Sequence, residues 1–130
     1  MSEPEYLDLE DLLALATALL GESPPIRDVG LLEAAASRPR TSAFGEDAYP
    51  DIWSKAAALL QSLVKSHPLV DGNKRFGWLA TATFLMLNGV DVTGTGNDDV
   101  YEFVMWVASG DAELAEVAER LHQLVGASVG

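Results

Sequence analysis

The sequence predicts an all-α fold: six helices in one domain, residues 1–130, with a loop or small hairpin between the second and the third. Three observations lead there. Apolar residues recur at helical spacing in five segments and fill a sixth almost completely. Asp or Asn precedes several of these segments, and Gly or Pro follows others. The chain is 130 residues long and 48% hydrophobic, enough for one real core and too apolar for disorder.

Each element follows from its own residues. Asp8 caps a first helix reaching Leu20, with Leu9, Leu12, Leu13, Ala16, Leu19 and Leu20 in register and Gly21 as its stop. Ser23-Pro24-Pro25 is a break. Asp28 caps a short second helix running to about Ala36. Residues 38–50 lose periodicity and form a loop of a dozen or so residues, long enough to suggest a function. The plain alternative is a connector with Phe44 as a hydrophobic plug. Asp51 caps the third helix, 52–66, whose apolar face is Trp53, Ala56, Ala57, Leu60, Leu63 and Val64. Pro68 forces the chain out of that helix near His67.

Residues 76–87, FGWLATATFLML, carry no charge, and Asn88-Gly89 closes the run. A helix apolar all round is buried, and this one is too short to span a bilayer, so it is placed at the centre of the core. Two glycines mark a short extended linker over 90–96. Asn97 is the expected cap of a fifth helix, 98–109, and Asp111 of the sixth. Val100, Phe103, Val104 and Val107 face inward on the fifth; Leu114, Val117, Ala118, Leu121 and Val125 do so on the sixth. Trp53, Trp78 and Trp106 are assigned to core or rim packing, and His122 to a solvated surface.

Composition narrows the function. The net charge is −12, and seven of the eight basic residues lie between Arg27 and Arg75. That window also holds six acids, so no basic face is left for nucleic acid or for an acidic membrane surface. A phosphorylated small molecule in a local cationic pocket remains compatible. Without Cys there is no disulfide framework and no thiolate chemistry. The acidic start has no signal-peptide pattern, so a cytoplasmic location is expected.

The chemistry concentrates in His67-Pro68-Leu69-Val70-Asp71-Gly72-Asn73-Lys74-Arg75, just before the uncharged helix. A helix N-terminus offers unpaired N–H groups and the positive dipole end. Asp71 reads as its N-cap; Gly72 lets a ligand approach the backbone. Asn73 adds an amide, and Lys74 and Arg75 add fixed charge that the dipole disfavours unless an anion is present. This is equipment for phosphate. His67 is the one imidazole in the cluster, the side-chain type suited to proton transfer.

The nine residues resemble the signature of the Fic/Doc superfamily, H-x-F-x-[DE]-[AG]-N-[GK]-R, at His67, Asp71, Gly72, Asn73, Lys74 and Arg75. Lys74 resembles the Doc, or death-on-curing, branch; other members carry Gly there. Leu69 stands in place of a core-anchoring Phe, and Trp78 in place of the second Arg of adenylylating members. The resemblance implies a kinase-type phosphotransferase using ATP and Mg2+. It implies His67 as general base, Asp71 as Mg2+ ligand, and Gly72, Asn73, Lys74 and Arg75 as the nucleotide-phosphate site. The 38–50 loop corresponds to a flap that positions the target. The implied biology is a toxin that phosphorylates a translation factor such as elongation factor Tu, inhibits translation, and is restrained by a cognate antitoxin. Residues 42–47 loosely resemble an inhibitory motif but fit it poorly, so inhibition is assigned to another chain. Two other readings stand beside this one: AMP transfer of the Fic type, and a nucleotide-binding module without catalysis.

Overall fold

In the computed structural model, residues 3–127 are described; residues 1–2 and 128–130, which the one-domain reading also covered, lie outside them. Among the described residues six α-helices follow one another: α1 Leu9–Leu20, α2 Val29–Ser37, α3 Ile52–Ser66, α4 Asn73–Leu87, α5 Asn97–Ser109 and α6 Leu114–Ala127. A 3-10 turn, Arg38–Arg40, follows α2. An antiparallel ribbon, β1 Ser42–Ala43 with β2 Glu46–Asp47, then leads to α3. The fold is all-α, with one small hairpin.

Aspartates set three helix starts. Asp8 and Asp51 close reciprocal capping boxes with Asp11 and Ser54, and the Asp28 carboxylate accepts from Leu31 N–H. Two expected caps are displaced. The first bond of α5 runs from Val100 N–H to Gly96 O, so Gly96 is the cap and Asn97 is already helical. At α6 the first acceptor is Glu113 O, because residues 111–113 stay non-helical while the chain turns from α5; Asp111 caps nothing. The linker over 90–96 is also less extended than expected: Thr95 N–H bonds Val92 O in a turn.

The centre of the core is α3, not α4. It packs against α2, α4, α5, α6 and the 3-10 turn, and buries residues 55–60 together with Leu63 and Val64. Alanines at 56–58 let its neighbours approach closely. At Gly77 of α4 an added Cβ would stand 2.7 Å from Val64 Cγ1, so any larger residue there would force the α3–α4 contact to shift. Phe76, Ala80, Phe84 and Leu85 form the buried apolar face of α4. Its other apolar residues either line a cleft, as Leu79 and Ala82 do, or are exposed, as Met86 and Leu87 are. The uncharged run thus reflects a core face plus a cleft wall. No helix among the described residues is long and apolar enough to cross a membrane.

The hairpin turns at Phe44 and Gly45, both in the left-handed region at φ 55° and 80°. That is the two-residue turn whose twist suits paired strands. Phe44 is not a plug: at 105% relative exposure it stands clear of the molecule. The ribbon is fastened underneath by Lys55, 1% exposed, whose Nζ reaches Asp47 Oδ2 at 3.2 Å and Pro39 O at 3.3 Å. Lys55 also lies over the Tyr6 ring.

Candidate active site

The motif forms the link between the C-terminus of α3 and the N-terminus of α4. His67 is the C-cap of α3, left-handed at φ 55°, ψ 61°, and exposed. Leu69 is 1% exposed, so the apolar anchor expected of this position is made by leucine. An isolated antiparallel bridge pairs Leu69 with Ile26. Around it Val70 N–H donates to Pro25 O (2.8 Å), while Arg27 N–H and Asp28 N–H both donate to Pro68 O (2.8 and 3.0 Å). The short segment before α2 therefore splints the motif from outside.

Asn73 holds the same loop from inside. Its Oδ1 accepts from Leu69 N–H and its Nδ2 donates to Leu69 O, both at 2.9 Å, and the residue is 8% exposed. Both ends of the side-chain amide expected in the phosphate site are thus engaged with Leu69. The amide closes the turn, and the main-chain N–H of residue 73 lies at the start of α4 without an acceptor in that helix. Asp71 is likewise not the helix cap. Gly72, at φ 83°, takes that position, and its carbonyl accepts from Phe76 N–H. Starting the helix one residue later leaves the Asp71 carboxylate exposed at the cleft and clear of the helix end. A Cβ on Gly72 would meet Leu20 Cδ2 at 3.3 Å and Arg75 Nη2 at 3.4 Å, in a conformation that already favours glycine.

These residues open into a cleft of about 860 Å³ between α4 and α5. His67, Asp71, Lys74 and Arg75 line it at the start of α4; Trp78, Leu79, Val100, Tyr101 and Met105 form the apolar walls further along. Because the first intrahelical donor is Phe76, the N–H groups of residues 73–75 have no acceptor within α4. Trp78 is half-buried and packs at the rim of this cleft.

The cations separate into two groups. Arg27 caps α3 carbonyls, Arg38 bonds Tyr49, Ser62 and Gln61, and Lys65 donates to Gly110 O. Lys55 pairs with Asp47, while Arg40 and Arg120 lie over Tyr6 and Trp106. Lys74 and Arg75 alone, among the described residues, have no hydrogen-bond, ion-pair or ring partner within the chain. In a protein with 20 acidic residues, these two adjacent cations stand unpaired at a helix N-terminus, the end of a helix that favours negative charge.

The residues fit a metal in one way only. No group of three or more His, Asp or Glu side chains converges among the described residues, and Asp71 is the carboxylate lining the cleft at the motif. A single carboxylate suits Mg2+ that shares its other ligands with phosphate and water.

His122 is exposed, as expected, but lies flat on Trp53, ring centroids 4.3 Å apart. Sequence reasoning overlooked Lys55 and the 25–28 splint. Lys55 reads as one polar residue on an amphipathic helix, and Pro25-Ile26-Arg27 as a connector between helices.

Comparison with known proteins agrees with this geometry. The family model described as Fic/DOC family matches residues 6–85, which include the motif and α1 to most of α4. The chain is 48% identical over 118 residues to a Mycolicibacterium smegmatis protein named Toxin Doc, covering 90% of this chain and 91% of that one. It is 27% identical over 126 residues to the protein named Protein kinase doc of Escherichia phage P1, covering 95% and 98% respectively. With the signature loop built, anchored and opening on a cleft, and the family match running through it, the chain belongs to the Fic/DOC family.

Proposed function

We propose that this protein is a Doc-type toxin that transfers the γ-phosphoryl group of ATP to a hydroxyl side chain of a translation factor, of the elongation factor Tu kind. A cognate antitoxin would hold it in check. The observation that carries the reading is the unpaired couple Lys74 and Arg75 beside His67 and Asp71 at one cleft. The names of the two relatives support it, one a toxin and the other a protein kinase.

His67 takes the proton of the target hydroxyl as that oxygen bonds to the γ-phosphorus and the bond from phosphorus to the β–γ bridging oxygen breaks; ADP leaves. A positioned base of this kind contributes about 10²–10⁴-fold. Lys74, Arg75 and the N–H groups of residues 73–75 hold phosphate oxygens and offset the charge that the transfer redistributes. Asp71 would hold Mg2+, which when bound neutralises phosphate charge. The apolar walls along α4 and α5 suit the nucleoside. The hairpin, with Phe44 at its tip, is the part of the molecule available to hold the target chain.

Lys74 supports phosphoryl over adenylyl transfer. Its side chain occupies space that glycine leaves open to a second phosphate, and Trp78 offers no guanidinium further along. Chromatography of the nucleotide products tests the reading. ADP should accumulate with elongation factor Tu, ATP and Mg2+ present, and the Lys74→Gln/Arg75→Gln double variant should lose this. Pyrophosphate instead of ADP would replace it with AMP transfer.

A further inference from the structure

Arg27 lies 40 residues from His67 in sequence and outside the cleft, yet its guanidinium grips the main chain on which His67 is mounted. Nε donates to His67 O at 2.7 Å and Nη2 to Ser66 O at 2.8 Å. We infer that Arg27 is a positioning residue for His67, setting the orientation from which the imidazole acts; this rests on the base role proposed above.

The need for such a residue follows from the local chemistry. A helix that ends in a left-handed residue ordinarily satisfies its last carbonyls with N–H groups of the two or three residues beyond. Here none is available. Pro68 has no N–H, Leu69 N–H is held by Asn73 Oδ1, and Val70 N–H is held by Pro25 O. The end of α3 is also the negative end of its dipole. A fork of charged donors fits both needs, and a bidentate grip fixes direction as well as distance.

The conformation it holds is not one His67 would keep by preference. A side chain with a Cβ is crowded in the left-handed region, and glycine normally occupies this cap. Arg27 is itself fixed: its N–H and that of Asp28 donate to Pro68 O, and Asp28 caps α2. The grip thus ties His67 to the start of α2, while Asn73 ties the other half of the loop to α4. Loss of the fork frees the residue that carries the base and leaves the phosphate-binding turn in place.

The test compares Arg27→Met and Arg27→Lys with the parent chain, with His67→Gln used to assign the His67 ring resonances. In Arg27→Met, kcat for target phosphorylation should fall about 10- to 100-fold, the scale of a misplacement near 1 Å. KM for ATP should stay within about twofold of the parent, since the phosphate site is untouched. The His67 ring carbon–proton resonance should shift without nucleotide present. Arg27→Lys keeps the charge at the helix end but not the fork, so it should recover part of kcat. If Arg27→Met does not fold, Arg27→Lys with the same two readouts decides. A lowered melting temperature with kcat and the His67 resonance both unchanged would make Arg27 a structural cap only and overturn the inference. If the parent chain transfers no phosphoryl group, the proposed function fails. The His67 resonance then still decides whether Arg27 positions the ring.

Discussion

Asn73→Ala separates the two roles that this residue could have. Its amide brackets Leu69 with two hydrogen bonds of 2.9 Å, at a place where Leu69 is 1% and Asn73 8% exposed. Truncation leaves a buried N–H and a buried C=O without partners. Each such group costs about 1–3 kcal/mol. Water entering the small space would recover part of this, so a loss of about 3 kcal/mol is expected. For a chain of this size that lowers the melting temperature by roughly 10 °C. Loosening the loop also frees the segment carrying His67, so transfer should fall by more than tenfold even well below the new melting point. Thermal unfolding followed by circular dichroism, with an ATP titration of the same variant, reads both effects. A melting temperature within about 2 °C of the parent, together with a large loss of ATP affinity, would refute this reasoning. It would make the Asn73 side chain a phosphate ligand instead.

Three further substitutions have expected outcomes. His67→Ala should reduce transfer by about 10²–10⁴-fold while calorimetry shows nearly unchanged ATP affinity; full activity would remove His67 from the mechanism. Asp71→Ala should abolish Mg2+-dependent transfer and alter stability by no more than about 0.5 kcal/mol, because Gly72 and not Asp71 is the N-cap of α4. A melting temperature that drops as for a lost cap would contradict the observed helix start. Phe44→Asn places a residue tolerant of the left-handed region at the hairpin tip, so stability should rise by up to about 1 kcal/mol. Transfer to the protein target should fall with ATP affinity unchanged; loss of stability would show that Phe44 has a structural role.

Much of the fold was legible because its signals are local. Asp8, Asp28 and Asp51 start helices by bonding N–H groups three residues away, and such bonds depend on little else. That these residues come together was legible for a similar reason: a glycine and two cations lie within a few consecutive residues at a helix N-terminus, and they line one cleft. What was not legible depends on tertiary contacts. The composition of FGWLATATFLML suits a fully buried helix equally well, and only the packing of α5 opens a cleft along one side. Asn73 sits among phosphate-type residues in sequence, yet Leu69, itself drawn into the core beside Ile26, presents the backbone groups that claim its amide. Asp71 precedes an apolar helix as a cap would, but Gly72 accepts the first helical bond from a conformation that no local signal requires. Arg27 and Lys55 act on residues brought near by the fold, so their roles had no sequence pattern to announce them.

The central claim is that this site transfers a phosphoryl group to a protein hydroxyl. Intact mass spectrometry of purified elongation factor Tu, after incubation with this protein, ATP and Mg2+, tests it most directly. The expected result is a gain of one phosphoryl group per target molecule, absent with His67→Ala. A gain of one adenylyl group, or no gain while the parent protein binds ATP, would contradict it.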